Sequence, residues 1–436
     1  MAAAKIPEYA SLQNRLFVLS SPKKPSSSTT HQAIDFGWRL HGKSIRLLPD
    51  SSLRLLPTGQ RATAALLREY CADGNSLLSC LQCGTCTVSC QLAETDGALF
   101  PRRQMTLLQL GEVDKLLTDP TAWLCFNCAD CTSSCPAQAG PGRIMAAVRR
   151  LAVEHYSVSP WLSRLANQRR GFLCMLLAGI ALLLAAIGVG GSFSPQPDPV
   201  RYASMLPHFT LNVFFSAIVG LVILTALISA ARAWKAFTGE ALRRANPVRL
   251  VHSLLSVTRK IAAHSQFSKC QQFSFSRWAH VAISYGFITL LLLAGVAATL
   301  IRLGNPYPLP LLHPFKIIGN LAAMLLVGGS LYFWVQRQRA SRDKDPSSWF
   351  DWVLLLELLL VSVTGVLAEV FRYASVAVLA YPTYFLHLVF VFVLLAGSAS
   401  SKLAHVFYRT VALTAEEYKA TSAVPLQDLE PRRVAA

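Results

Sequence analysis

Charge is what this sequence lacks. Only 15% of its 436 residues are charged, against about a quarter in an ordinary soluble domain. Acidic residues are scarcer still: 23 Asp and Glu stand against 41 Lys and Arg, a formal net charge of +18. With 53% hydrophobic residues and a mean hydropathy of +0.40, this excludes an ordinary soluble chain and points to an integral membrane protein. No nucleic-acid partner is expected, because the basic residues flank apolar runs instead of clustering on one module. The intramembrane charges and broken helices of a transporter are few as well. The first residues, MAAAKIPEYASLQNRLF, lack the apolar core and cleavage site of a secretory signal peptide. Residues 1–65, which include the polar stretch SSPKKPSSSTT from Ser20, are expected to be a poorly ordered extension. The cysteines that follow are therefore expected in the cytoplasm, where structural disulfides are rare.

What is present, first, is a set of six apolar segments: Phe172–Gly190, Phe209–Ala230, Trp278–Ile301, Phe315–Val335, Trp349–Phe371 and Pro382–Ala404. Each is close to the roughly 20 residues a helix needs to cross the hydrocarbon. Basic residues alternate along their connections. Arg164, Arg169 and Arg170 precede the first segment, nine Lys and Arg separate the second from the third, and four separate the fourth from the fifth. The other loops hold only Arg201, Arg302 and Arg372. This bias puts both termini on the cytoplasmic side of the inner membrane, with basic loops against anionic lipid. Within the loop 241–270, PVRLVHSLLSVTRKIAAH alternates as an amphipathic helix. It is expected to lie on the membrane surface or under a partner, with His252 and His264 on its polar face.

The second feature is a repeated cysteine run. CLQCGTCTVSC places Cys80, Cys83, Cys86 and Cys90 at C-x2-C-x2-C-x3-C spacing, and CFNCADCTSSCP repeats it at Cys125, Cys128, Cys131 and Cys135. This is the ferredoxin-type run for a [4Fe–4S] cluster, in which three thiolates wrap one cube and the fourth reaches the neighbouring one. Cluster one is thus expected on Cys80, Cys83, Cys86 and Cys135, and cluster two on Cys125, Cys128, Cys131 and Cys90. Zinc would favour paired C-x2-C knuckles instead. Gln91 follows Cys90 where the run usually has proline. Cys71, Cys174 and Cys270 stand apart from both runs and are read as ordinary thiols.

Histidines mark the membrane part. His387 and His405 are eighteen residues apart on the last segment. On one continuous helix that is five turns and about 27 Å, so both would project from one face. His280 opens the third segment level with His405, and His313 lies at the outer end of the fourth, level with His387. The expectation is an inner haem b between His280 and His405, and an outer haem b between His313 and His387. His208 is the alternative to His313. Bis-histidine ligation suits electron transfer, and metal-binding side chains at membrane depth are functional candidates.

These motifs, with the segments RWAHVAISYGF, HPFKIIGN, AYPTYFLHLVFVF and SKLAHVFYRTVAL, resemble a family of fused heterodisulfide reductase C and E subunits. The likeness is to the C subunits of quinone-interacting membrane-bound oxidoreductase complexes, over roughly Leu66 to Leu413. It implies an all-α fold: a helical di-[4Fe–4S] ferredoxin-like domain (66–160) fused to a six-helix transmembrane cytochrome b bundle (171–405). A cytoplasmic tail (406–436) would follow. Related nitrate reductase gamma-type cytochromes carry two further ligands ten residues apart on an earlier helix; His280 matches the first, but Leu290 stands at the second. The resemblance implies one or two haems and electron transfer between the quinone or menaquinone pool and two cytoplasmic flavoprotein subunits. Adenylylsulfate reductase would lie downstream. Lys316, one turn past His313, is expected either to hydrogen-bond a quinone carbonyl or to anchor at the interface. Glu369 either moves quinone protons or pairs with Arg372, and Glu357 faces a neighbouring helix. Two other readings compete. One is a tricarballylate/citrate utilisation B-type protein, whose adjacent histidine pair is here Ala279–His280. The other is a non-redox membrane scaffold, which would show no haem absorbance.

Overall fold

A computed structural model describes residues 60–71, 74–92, 99–166, 168–239, 246–264, 274–304, 309–342 and 349–422. Every regular element among these described residues is helical. Most of the expected N-terminal extension lies outside them, but residues 60–65 do not belong to it. Gln60–Arg68 is already a helix that buries Leu67 completely.

The cysteine-bearing part folds around the long helix Pro141–Tyr156. Gly140 leads into it with a positive φ of 57°, and Pro141 takes the first helical position, where its missing N–H costs nothing. Ile144, Met145, Val148, Leu151 and Ala152 repeat at helical spacing and form its buried face. Against that face pack Gln60–Arg68, Arg102–Leu110, Val113–Leu117 and Thr121–Leu124, sharing one hydrophobic core. The two cysteine runs sit at the rim of this core, each closed by a single-turn helix, Thr85–Val88 and Asp130–Ser133.

Among the described residues, six helices are long and apolar enough to cross a membrane: Arg169–Gly190, His208–Thr238, Phe275–Arg302, Pro314–Arg339, Trp349–Tyr373 and Ala377–Gly397. They correspond to the six expected segments, and they make the chain a multi-pass membrane protein. The fifth and sixth lie at the centre of the bundle: 33% and 39% of their apolar windows are buried, against 6% for the second and third. The third and fourth pack closely through small residues. A Cβ on Gly286 or Gly329 would come within 2.8 Å of the Ala322 or Ala279 carbonyl oxygen.

The sixth span departs from expectation. It stops at Gly397, a 3-10 turn covers Lys402–Ala404, and a new helix runs from His405 to Ser422. The intervening serines end the span because their hydroxyls compete for backbone groups. Ser398 Oγ donates to the Leu395 carbonyl (2.7 Å), and Ser401 Oγ accepts from the Leu403 N–H (3.3 Å). His387 and His405 therefore do not share a helix, and their eighteen-residue phasing has no structural meaning. Residues 406–422 are not a tail either; residues 423–436 lie outside the described part.

The terminal helix His405–Ser422 joins the two halves of the chain. Its Tyr408, fully buried, stacks on Trp123 at 5.0 Å between ring centroids, and Ala412 and Ala415 enter the same core. Ala233 and Phe237, at the end of the second span, complete that core, with the Phe237 ring edge-on to Tyr156 at 5.8 Å. On its other side the helix holds Pro247–Ala262, the expected amphipathic helix, through Lys260–Glu417 (2.7 Å) and Arg249 to the Thr421 carbonyl (3.0 Å). Asn246 caps that helix, accepting from the Val248 N–H at 2.9 Å. Its Val248, Val251, Leu254 and Leu255 stay exposed and form an apolar face. Truncating Trp123, only 3% exposed, is expected to cost about 3–5 kcal/mol. The measurement is the urea midpoint for loss of iron–sulfur absorbance, which should fall in Trp123→Ala.

Candidate functional site

The two cysteine runs adopt one backbone conformation twice. In the first, Gln82 (φ 56°) and Gly84 (φ 86°) turn left-handed before the helix Thr85–Val88. In the second, Asn127 (φ 59°) and Ala129 (φ 67°) do the same before Asp130–Ser133. These positive-φ pairs tighten each two-residue gap so that successive thiols face one hollow.

One hollow is lined by Cys80, Cys83 and Cys86 together with Cys135 from the other run. The second is lined by Cys125, Cys128 and Cys131 together with Cys90. The fourth cysteine of each run thus crosses to its neighbour's pocket. Backbone N–H groups are aimed at sulfur: Asn127 at Cys125 Sγ (3.4 Å) and Ala139 at Cys135 Sγ (3.3 Å).

The electrostatics fit a cationic guest. Burial, followed by the nearness of Cys125, Cys90 and Cys86, pushes the Cys131 thiol up to about 12. Cys80 and Cys86 are raised too, first by burial, with Cys135 and Cys83 adding. At the exposed Cys83 the thiol is lowered by its hydrogen bond with Thr85. Four thiolates tolerate one another here only around positive charge. Among the described residues no three His, Cys, Asp or Glu side chains close on a single ion. Thiolates on one zinc, at about 2.3 Å each, would stand only about 3.8 Å apart. Four thiols around each hollow, with backbone N–H groups aimed at sulfur, fit an iron–sulfur cube instead.

The two runs differ in what holds them. Gln109 Nε2 donates to the Cys80 carbonyl (2.9 Å) within a neutral network that includes Gln82 and Thr106. At the equivalent position of the second run, Arg409 Nη1 donates to the Cys125 carbonyl (3.1 Å), with its guanidinium over the Phe126 ring. Sequence reasoning missed these residues. Arg409 stands 284 positions from Cys125, and no local pattern marks it.

His405 lies one turn before Arg409, at the start of the terminal helix. Its Nδ1–H donates to the Lys402 carbonyl (2.6 Å), leaving Nε2 free for a metal. Burial pushes this imidazole down to about 4, with His280, Lys402 and Arg409 adding, so it is neutral at physiological pH. Lys402 in turn pairs with Asp351 at the start of the fifth span (2.7 Å). His280, on the third span, lies near His405, with Nδ1 against Ser284 Oγ (3.3 Å). His264 corrects expectation. It is not on the polar face of the amphipathic helix but just beyond it, with its ring 5.7 Å from that of His280.

His387 is set between the two central spans. Nδ1 donates to the Val361 carbonyl (3.0 Å), again leaving Nε2 free. Gly365 makes room for the ring, since a Cβ there would come 3.0 Å from His387 Cε1. His313 is not at the same level. It sits just before the fourth span, with Nδ1 accepting from the Phe315 N–H (3.3 Å). Lys316 reaches Glu369 (3.1 Å), whereas His387 touches Val361 and Thr364 on that same fifth span. With five residues from Thr364 to Glu369 and three from Lys316 to His313, His387 lies roughly 12 Å deeper. The sixth helix starts at Ala377, ahead of Pro382, and that sinks His387 into the bundle. Lys316 and Glu369 pair with each other, so the expected Glu369–Arg372 pair gives way; Arg372 covers the Tyr373 ring instead. Glu357, 5% exposed, is buried on the fifth span.

Fold and site together define a multi-pass membrane protein that carries a pair of four-cysteine pockets. Residues 76–139 match the 4Fe-4S dicluster domain family. The chain is similar to a heterodisulfide reductase C-subunit-like protein of Archaeoglobus profundus, 36% identical over 99 residues, 23% of this chain and 52% of that protein. It is also similar to the C subunit of the H(2):CoB-CoM heterodisulfide,ferredoxin reductase of Methanothermobacter marburgensis, 40% identical over 68 residues, 15% of this chain and 35% of that one. The C subunit of the ferredoxin:CoB-CoM heterodisulfide reductase of Methanosarcina mazei is 35% identical over 95 residues, 22% and 58% of the two chains. The chain thus spans between 35% and 58% of these relatives' length. No solved structure matches.

The crossing of the cysteines has a direct check. Cys135→Ser is expected to alter the same cluster signal in electron paramagnetic resonance (EPR) as Cys83→Ser, and Cys90→Ser the same one as Cys128→Ser. Pairing by run instead of by pocket would contradict the geometry.

Proposed function

We propose that this chain is the membrane-anchoring electron-transfer subunit of a quinone-interacting oxidoreductase. It links the quinone or menaquinone pool, through haem b, to two [4Fe–4S] clusters and cytoplasmic flavoprotein partners. Cys80, Cys83, Cys86 and Cys135 hold one cluster, and Cys125, Cys128, Cys131 and Cys90 the other. His280 and His405 hold the inner haem, with His387 as a ligand deeper in the bundle. A haem b bound there supplies a one-electron couple at membrane depth. The terminal helix carries this reading: it begins at His405 and docks one turn later on the Cys125 run. Similarity to proteins named as heterodisulfide reductase C subunits supports a place in a multi-subunit complex. The family resemblance supports adenylylsulfate reductase as the downstream partner, and the bias of basic residues between the spans supports cytoplasmic termini.

Lys316 and Glu369, with side chains 18% and 19% exposed, are the proposed quinone residues at the bundle end away from the clusters. Lys316 Nζ donates to a quinone carbonyl, and Glu369 takes the proton that a quinol gives up on oxidation.

Reduced-minus-oxidised spectra with pyridine haemochrome quantitation test the haem assignment. His405→Ala and His387→Ala are each expected to lose haem, and His313→Ala to keep it. A wild-type protein without haem would leave the scaffold reading standing. Lys316→Ala is expected to slow haem reduction by a quinol analogue at least tenfold; an unchanged rate removes Lys316 from the site.

A further inference from the structure

The two cysteine runs share one backbone conformation, yet the carbonyl of the first cysteine in each meets a different donor. Cys80 receives the neutral Gln109 amide at 2.9 Å, and Cys125 receives the Arg409 guanidinium at 3.1 Å. A second guanidinium reinforces the difference. Arg149 donates to Asn127 Oδ1 (2.9 Å) and to the Ala122 carbonyl (3.2 Å), one before and one after Cys125 in the chain. Arg409 is half-buried, and the Phe126 ring covers its guanidinium at 5.0 Å, so water screens its charge poorly. The first pocket also has an arginine on its lining, Arg102, but that residue is exposed to solvent. Adding an electron to a cluster adds negative charge, which a nearby, poorly screened cation stabilises.

We propose that Arg409 sets the two clusters apart by raising the reduction potential of the one held by Cys125, Cys128, Cys131 and Cys90. It is a positioning residue that acts through the Cys125 backbone and touches no reacting atom. Because the terminal helix supplies it, the potential of this cluster is coupled to the docking of that helix. The inference rests on the two-cluster reading and not on haem or quinone.

The test is an EPR-monitored redox titration of the full-length protein with its iron. Arg409→Gln, which copies the Gln109 donor, is expected to lower the midpoint of the cluster whose signal Cys128→Ser alters, leaving the other in place. Arg409→Lys, which keeps the charge, is expected to stay near wild type. If Arg409→Gln moves neither midpoint, or both equally, the inference fails. Should Arg409→Gln not retain its iron, Gln109→Arg is read in its place. It brings a guanidinium to the Cys80 carbonyl and should raise the first midpoint; an unmoved or lowered value overturns the idea. A wild-type titration with only one cluster would overturn the two-cluster reading itself, a result distinct from an unmoved second midpoint.

Discussion

The burial of Tyr408 between the cluster domain and the bundle is the contact on which the rest depends. That ring stacks on Trp123, two residues before Cys125, and neighbours Tyr156 from the long helix and Phe407 from its own. Removing such aromatic surface from water contributes on the order of 2 kcal/mol or more for each ring. It also fixes where the terminal helix lies. Once Tyr408 is seated, His405 and Arg409 are fixed about one turn apart along the same face of the helix, because four residues are close to one full turn. One packed ring thereby registers a candidate metal ligand against a cysteine pocket.

Desolvation acts at both candidate centres. In the cluster domain it makes bare thiolates unfavourable, so that the pockets are stable as thiols or around positive charge. At His405 it favours the neutral imidazole, and the carbonyl bond at Nδ1 orients the lone pair of Nε2. His387 repeats that arrangement with the Val361 carbonyl. Two histidines on different helices thus present the same nitrogen by the same means, a likeness of local chemistry and not of helical phase.

Much of the plan was legible along the chain. The cysteine spacing implied the crossed sets because two-residue gaps admit three thiols to one pocket and leave the fourth outside it. The six spans were legible because lipid demands long runs without charge. The serine break at Ser398–Ser401 was harder to see. Serines within an apolar segment resemble helix interior until their hydroxyls are found bonded to backbone, and the apolar run alone therefore carries the sixth span through to His405. The depth of His313 failed for a related reason: a helix start misjudged by five residues moves His387 by more than a turn.

The sequence by itself determined the element types, the number of spans and the two sets of four cysteines, because these follow from local spacing and hydropathy. Only the tertiary structure decided which partners meet. Arg409 reaches Cys125, His264 approaches His280 and Lys316 finds Glu369, and each pairing comes from helix packing across long stretches of chain. Such contacts are selected by burying complementary surfaces, and no spacing along one segment encodes them.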